Sequence, residues 1–303
     1  MRSLVEPRFI VGLPRSGSTL WSRVFAEDET VLCFREMHFL SLWRKDFRYF
    51  LKKHVGRLSE NSGVTRLVDA LIDEQKTSFL KGNFWMQLRK HDPDLLARNI
   101  YERLLPTDRS LSEIFKAIIE EACLIRGYRK CMVKFPVYVS QMDFLRQCYP
   151  KAPIVHITRD PRAIAASKTN DPGGVGKFIK QHPWMEPSLR MAALLFVVMQ
   201  YNLAARTHQK HSGQHHYQLF YYEDLLANPE KVIAELCEFA ELIWSESMLD
   251  PKSGQPSSLT GQRRSGFDPN AASRWKDVLS NREVRFIEFM TKSAQAKYGF
   301  HRR

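Results

Sequence analysis

The segment that most constrains the fold is FIVGLPRSGST, residues 9–19, in which an apolar run leads into a loop with two glycines. Beyond it, apolar residues recur at helical spacing: Leu20, Trp21, Val24 and Phe25. Strand, glycine loop and helix in this order are the context of a P-loop, which holds phosphate through backbone N–H groups and the helix dipole. The segment therefore predicts an anion-binding loop at the carboxyl end of a β-strand.

The loop departs from the usual P-loop pattern at one position. Gly12, Gly17 and Thr19 fit the pattern, but Ser18 stands where the lysine is expected, and Arg15 supplies a cation inside the loop. The usual lysine reaches the β and γ phosphates, so its absence argues against transfer of a γ-phosphoryl group. The loop instead suits a terminal 5′-phosphate, with Arg15 directed at the group attached to it.

Strand-like and helical segments alternate along the rest of the chain. Apolar runs predict strands at residues 131–134, 154–157 and 217–221, and residues 37–128 have the pattern of several helices. This alternation predicts an α/β fold, a P-loop NTPase-like three-layer sandwich with a central parallel sheet flanked by helices.

We expect a single domain over residues 1–303, because no repeat, low-complexity tract or strong composition shift divides the chain. Residues 37–128 would form a helical insertion in that domain. Residues from about 250 to 272 are polar and contain Gly, Pro and Ser, which predicts a mobile loop. Residues 168–187, rich in Gly and Pro, predict another loop.

Composition limits the compartment and the partners. The net charge of +13 indicates attraction to anions without naming one. The longest apolar run, residues 191–199, is far shorter than a membrane span. The five scattered cysteines predict free thiols and a reducing compartment. We therefore expect a cytoplasmic protein without a membrane span; a homodimer stays open.

A second anion-binding motif lies in TRDPRAIAASK, residues 158–168. Arg159 ends a predicted strand, and Asp160 followed by proline predicts the start of a helix. Ser167 lies about two helical turns after Asp160 and so faces back toward the same edge. An arginine and a hydroxyl presented together form a phosphate site. Two phosphate sites at one edge of the sheet favour a nucleotide phosphorylated at both ends of its ribose.

PRSGST after the first strand, with RDPRAIAAS after a later strand, resembles the sulfotransferases that use 3′-phosphoadenosine 5′-phosphosulfate (PAPS). The layout is closest to the protein-tyrosine sulfotransferase branch, in separated motifs from residue 9 to about residue 275. The resemblance implies that the first motif holds the 5′-phosphosulfate, that the second holds the 3′-phosphate, and that 3′,5′-ADP is the product. The implied cofactor-binding residues are Arg15, Ser16, Gly17, Ser18, Thr19, Arg159, Ser167, Tyr222 and Arg274. For Tyr222, a place in the hydrophobic core is an equal alternative.

The same resemblance implies the catalytic residues. Glu36 in CFREMHFL falls where that branch carries its catalytic glutamate, and Lys134 in MVKFP falls at its active-site lysine. Glu36 is the candidate base for the acceptor proton, with His38 as the alternative. Arg15 and Lys134 would neutralise charge on the bridging oxygen, so that no metal is required. The acceptor is a hydroxyl or an amine that the resemblance does not identify; acidic and aromatic acceptors both stay open.

Two other functions compete with this prediction. A magnesium-dependent P-loop nucleotide kinase or NTPase would need the missing lysine and an evident Walker-B acid. A non-catalytic nucleic-acid-binding protein would account for the net charge, but Lys and Arg are spread along the chain and not grouped in one arm. It would also leave the paired phosphate motifs unexplained. The sequence therefore favours sulfuryl transfer from PAPS, with no nucleic-acid partner.

Overall fold

The computed structural model describes residues 5–41, 45–80, 83–135, 138–171, 174–251 and 266–300. The strands are β1 (Glu6–Gly12), β2 (Val31–Phe34), β3 (Lys130–Phe135), β4 (Ile154–Thr158) and β5 (Tyr217–Tyr221). The helices are α1 (Ser18–Ala26), α2 (Phe47–Phe50), α3 (Asn61–Ile72), α4 (Glu74–Thr77), α5 (Phe84–Leu88), α6 (Pro93–Leu104), α7 (Leu111–Leu124), α8 (Met142–Cys148), α9 (Pro161–Thr169), α10 (Val175–Gln181), α11 (Glu186–His211), α12 (Tyr222–Ala227), α13 (Pro229–Ala240) and α14 (Asn281–Lys297).

The strands form a central parallel sheet in the order β2-β3-β1-β4-β5, flanked by helices. The strand that precedes the glycine loop, β1, is thus the middle strand. β2 pairs with β3 in parallel, with Val31 opposite Lys130 and Phe34 opposite Val133. The predicted α/β fold is confirmed. The sequence analysis does not predict β2, although VLCF is an apolar run as long as those that predict β3 and β4.

Each of the five strands ends close to a residue that the sequence singles out. β1 ends at Gly12, β2 ends two residues before Glu36, and Lys134 is the penultimate residue of β3. Arg159 directly follows β4, and Tyr222 directly follows β5. Ligands of open α/β sheets bind at the carboxyl ends of the strands, so each of these residues lies at a position typical of ligand-binding residues in such sheets.

The described residues group into two compact units, one within residues 1–10 and 29–154 and the other within 11–28 and 155–303. The expectation of a single domain over 1–303 stays a prediction. The predicted mobile loop falls mainly on residues 252–265, including Arg263 and Arg264, which lie outside the described residues.

In the first unit, the helices predicted within residues 37–128 are confirmed as α2 to α7. They enclose an aromatic core. Phe39 stacks on Phe47 with 4.2 Å between ring centroids, and Phe47 stacks on Trp85 at 5.7 Å. Burial of such rings contributes strongly to core stability. Because Phe39 belongs to this core, it anchors the irregular segment that follows β2.

In the second unit, α9 begins as predicted. The carboxylate of Asp160 accepts a hydrogen bond from Arg162 N at 2.8 Å, and Pro161 is the first helical residue. The loop predicted for residues 168–187 is partly wrong, because α10 lies within it. Val175, Phe178 and Ile179 have helical spacing there, but the flanking Gly and Pro residues obscure so short a repeat.

By length and composition alone, one helical stretch among the described residues, Pro183–His211, is able to cross a membrane. Core helices of globular proteins meet the same criterion, so the expectation of no membrane span stays a prediction. Of the most apolar 18-residue window in this stretch, 39% is buried. All five cysteines are free thiols, as predicted.

Candidate active site

The loop between β1 and α1 requires glycine at two positions. A Cβ atom on Gly12 would lie 2.5 Å from the backbone oxygen of Ile157. Gly17 has a φ of 94°, and a Cβ atom there would lie 2.2 Å from the ring of Tyr222. Gly17 is also the N-cap of α1, and no side chain forms a capping hydrogen bond there. An uncapped helix N-terminus after a glycine loop is suited to an anion.

Arg15 connects this loop to the second motif. Its φ of 76° is uncommon for a residue with a side chain. Its Nε donates a hydrogen bond to Ser167 Oγ at 2.8 Å, and its Nη1 lies 3.9 Å from Asp171 Oδ1. Burial lowers the pKa of Arg15, opposed by the Asp171 carboxylate and reinforced by the charge of Arg159. The structure therefore brings together two residues that are 152 positions apart in sequence.

Arg159 completes the connection between the motifs. Its guanidinium donates to the backbone oxygen of Arg15 at 3.2 Å and to that of Ala271 at 2.9 Å. The same group lies 4.2 Å from the ring centroid of Tyr222, within range of a cation–π interaction. Its Nε is buried and has no hydrogen-bond partner in the described part of the chain. A buried donor without an acceptor costs free energy, so this atom marks a place for an acceptor on a ligand.

The other residues predicted to bind the cofactor differ in their burial and in their partners. Ser16 is fully buried, and its Oγ likewise has no hydrogen-bond partner among the described residues. Ser18 is the buried first residue of α1, and Thr19 after it is exposed. Arg274 lies in the 3₁₀ turn Arg274–Asp277 and forms an ion pair with Asp268. Its predicted contact with the cofactor stays a prediction.

Tyr222 is part of the core and also part of the site. It belongs to a small buried cluster with Leu226 and Ala271, and burial raises its pKa. Its ring fills the space that the missing side chain of Gly17 leaves, and its face meets Arg159. It thus holds the loop and the guanidinium in place.

Two acidic residues at the site escape the sequence reasoning. Glu223 accepts a hydrogen bond from Asp160 N at 2.9 Å, and burial raises its pKa. Asp171 sits beside Arg15. Glu223 is adjacent to Tyr222 in YYEDLL, and Asp171 lies three residues after the second motif ends at Lys168. Nearness in sequence to predicted site residues was the only signal for either one.

These contacts fit a ligand that carries phosphate groups. The loop has an uncapped helix N-terminus, and the buried Ser16 Oγ and Arg159 Nε both lack partners among the described residues. Arg15 and Arg159 supply positive charge. Charge-assisted hydrogen bonds from arginine to phosphate are strong ones, and the arrangement matches that use.

In the first unit, the backbone fixes Glu36 against β3. Met37 N donates to the backbone oxygen of Lys134 at 3.1 Å, and Phe84 N donates to that of Glu36 at 3.2 Å. Met37 and Phe39 are fully buried on either side of His38. Because the alternate residues Met37 and Phe39 are buried in the core, the side chains of Glu36 and His38 lie next to each other and form a hydrogen bond.

Glu36 has a cationic or polar group at each carboxylate oxygen. Its Oε1 lies 2.6 Å from His38 Nε2, and its Oε2 lies 3.7 Å from Lys134 Nζ. Burial acts to raise the pKa of Glu36, but the His38 hydrogen bond and the Lys134 charge outweigh it, and the pKa lies below the ordinary value. The carboxylate is therefore ionised at neutral pH and able to accept a proton.

Among the residues that the structure describes, no three His, Cys, Asp or Glu side chains are grouped to hold a metal ion. The expectation of activity without a metal stays a prediction.

Comparison with known proteins identifies the class to which this fold and this loop belong. Residues 7–246 match the model of the sulfotransferase family, and the chain belongs to that family. No curated protein matches the sequence.

Two solved structures show the same fold. The sulfotransferase domain of the olefin synthase of Synechococcus PCC 7002 is similar with a TM-score of 0.52 and 21% identity, over 96% of each chain. The sulfotransferase domain from the curacin biosynthetic pathway is similar with a TM-score of 0.55 and 16% identity, over 96% of this chain and 99% of that one. At these identities the likeness concerns the fold alone.

Proposed function

We propose that this protein is a PAPS-dependent sulfotransferase, which moves the sulfuryl group of PAPS to a hydroxyl or amine of an acceptor and releases 3′,5′-ADP. Membership of the sulfotransferase family supports the reaction class. The observation that carries the choice of donor is the buried network of Arg15, Ser167 and Arg159, in which Arg159 Nε has no protein acceptor in the described part of the chain.

The second unit supplies the donor-binding residues in this proposal. The backbone N–H groups at Ser18 and Thr19, with Ser16 Oγ, bind the 5′-phosphate through the start of α1. Arg159 and Ser167 bind the 3′-phosphate, and Tyr222 keeps the Arg159 guanidinium in place. When bound, PAPS supplies the sulfuryl group and a phosphate leaving group.

The first unit supplies the groups that act on the acceptor. The Glu36 carboxylate accepts the proton that the acceptor hydroxyl loses, and His38 orients that carboxylate through the short hydrogen bond. Lys134 carries positive charge that stabilises the phosphate leaving group, as does Arg15 in the second unit. A metal ion is not needed for any of these roles.

Calorimetric titration of the full chain with four ligands tests the proposal. We expect tight binding of 3′,5′-ADP in EDTA, weaker binding of 5′-AMP, and little binding of ATP with magnesium or of duplex DNA. Tightest binding of magnesium–ATP would favour a nucleotide kinase or NTPase. Tightest binding of DNA would favour a nucleic-acid-binding protein, and either result would overturn the proposal.

A further inference from the structure

Helix α11 is apolar on its exposed side as well as on its buried side. Residues 191–205 contain no charged side chain. One face of the helix is apolar because it is buried, and it includes Leu194, Val197, Val198 and Tyr201. The opposite face is apolar although it is exposed. There, Met191, Leu195, Met199 and Leu203 follow one another at intervals of four residues, and each is between 38% and 48% exposed. We call these four residues the α11 stripe.

Other exposed apolar side chains lie on the elements adjoining α11. Trp184, in the turn before α11, is 80% exposed, and Phe178 on α10 is exposed as well. Phe289 and Met290 on α14 are exposed, and Asn202 of α11 donates to the backbone oxygen of Met290 at 3.0 Å. Exposed apolar side chains scattered singly are normal, but a continuous set marks an interaction surface.

The charged residues on α10, α11 and α14 are predominantly basic. Lys177 and Lys180 flank Phe178, Arg206 follows the stripe by one turn, and Arg285 and Lys292 flank Phe289 on α14. All five side chains are exposed.

Acidic residues on these helices are few. Glu283 is paired with Arg190, and Glu288 is paired with Arg162. Glu186, at the start of α11, is the remaining carboxylate on the three helices. An occupant of this face must therefore be apolar in part and negatively charged at its border.

We infer that this face, the α11 stripe with its aromatic neighbours and basic border, binds the surface of an anionic lipid bilayer. The apolar side chains would enter the boundary between headgroups and acyl chains, and the basic residues would meet the anionic headgroups. An exposed tryptophan at the end of the stripe is the residue type that favours this boundary.

A second copy of the chain fits this face less well. Apposing two copies through the stripe would bring two basic borders together, and like charges across an interface oppose association. An anionic bilayer has the complementary charge.

Vesicle flotation of the full chain tests the inference. The vesicles consist of phosphatidylcholine alone or of phosphatidylcholine mixed with phosphatidylglycerol. We expect the protein to float with the anionic vesicles and not with the neutral ones. Leu195→Gln/Met199→Gln should weaken partitioning at least tenfold, because two apolar side chains no longer enter the bilayer. The control Met86→Gln/Ile243→Gln alters two exposed apolar residues elsewhere and should bind like the wild type.

A second pair of variants distinguishes the effect of the basic border on partitioning from the effect of the overall net charge of +13. Arg285→Ser/Lys292→Ser should weaken partitioning more than Lys151→Ser/Lys231→Ser, which removes the same charge from other helices and turns. Equal losses in the two double variants, or unchanged partitioning of Leu195→Gln/Met199→Gln, would show non-specific attraction and overturn the inference. Failure to float with anionic vesicles would also overturn it. So would a dimer in light scattering that the stripe substitutions dissociate, because the occupant would then be a second copy.

Discussion

At the scale of single residues, the proton affinity of Glu36 reflects opposing influences. Burial alone would favour the neutral acid, whereas His38 and Lys134 favour the carboxylate and prevail. A base held ionised in this way is available at neutral pH, and it loses activity only in acid. The arrangement makes separate predictions for the rate and for its pH dependence.

We predict that Glu36→Gln lowers the rate of sulfuryl transfer by about 10²–10⁴-fold, the usual contribution of a general base. Affinity for 3′,5′-ADP should be nearly unchanged, because the substitution keeps the shape and removes only the basicity. Single-turnover transfer with labelled PAPS and calorimetry measure the two quantities. Glu102→Gln, an exposed glutamate on α6, is the matched control. A Glu36→Gln enzyme with the full rate would exclude this base.

The hydrogen bond from His38 to Glu36 predicts a shift in the pH profile. In the wild type, kcat/KM should fall as pH drops below the ordinary glutamate pKa of about 4.3, because the folded pKa of Glu36 is lowered. His38→Ala removes the largest lowering influence, so the acid limb should move to higher pH while activity at neutral pH persists. A wild-type acid limb near pH 6.5, together with loss of activity in His38→Ala, would instead assign the base to an imidazole.

At the scale of elements, the tight fit between the glycine loop and the start of α12 predicts a stability effect. Gly17→Ala should lower the free energy of unfolding by about 2–4 kcal/mol, since it combines the left-handed backbone with a clash against the Tyr222 ring. Gly213→Ala is the matched control. Gly213 has a φ of 89° but nothing within 4 Å of the added Cβ, so only about 1–2 kcal/mol is expected. Equal losses in urea unfolding would contradict the clash.

The packing of β4 against the end of α11 predicts a dependence of stability on pH. His156 Nδ1 and His208 Nδ1 lie 2.6 Å and 2.7 Å from the same Tyr217 hydroxyl. Burial, and then the charges of His208 and His211, lower the pKa of His156 to about 3. In the unfolded chain, His156 therefore binds a proton below about pH 6.5. In the folded chain it stays neutral down to about pH 3.

The contribution of His156 to the free energy of unfolding should accordingly be fully present above pH 6.5. It should fall by about 1.4 kcal/mol per pH unit as the solution becomes more acidic. Urea unfolding between pH 5 and 6.5 measures the slope in a range where Glu36 does not titrate. His156→Gln should reduce the slope by one proton. An unchanged slope in that variant would contradict a buried neutral histidine.

At the scale of the whole molecule, the sequence predicts the fold well because its signals are local. The apolar runs locate four of the five strands, and Asp160–Pro161 locates the start of α9. The sequence analysis misses β2, although its four residues are all apolar, and it misses α10, whose short repeat is obscured by flanking Gly and Pro residues. The fold class follows even so, since alternation along the chain does not depend on any one element.

The candidate site is predicted less completely, because its contacts join distant positions. Spacing places Arg159 and Ser167 at a common edge, but it gives no reason to expect the Arg15–Ser167 hydrogen bond or the ring of Tyr222 over Arg159. The Glu36–His38 contact depends on the buried Met37 and Phe39, which only the folded core reveals. Such contacts follow from tertiary packing and not from local pattern.

The central claim is that the molecule binds a nucleotide phosphorylated at both ends of its ribose, and one calorimetric cycle tests it most directly. The dissociation constants of 3′,5′-ADP and 5′-AMP are measured for the wild type and for Arg159→Gln. A charge-assisted hydrogen bond contributes about 1.5–3 kcal/mol, so the substitution should weaken 3′,5′-ADP at least tenfold and leave 5′-AMP nearly unchanged. 5′-AMP also reports any structural damage, because Arg159 supports the Arg15 backbone. Equal losses for the two ligands, or a wild type that does not prefer 3′,5′-ADP, would contradict the claim.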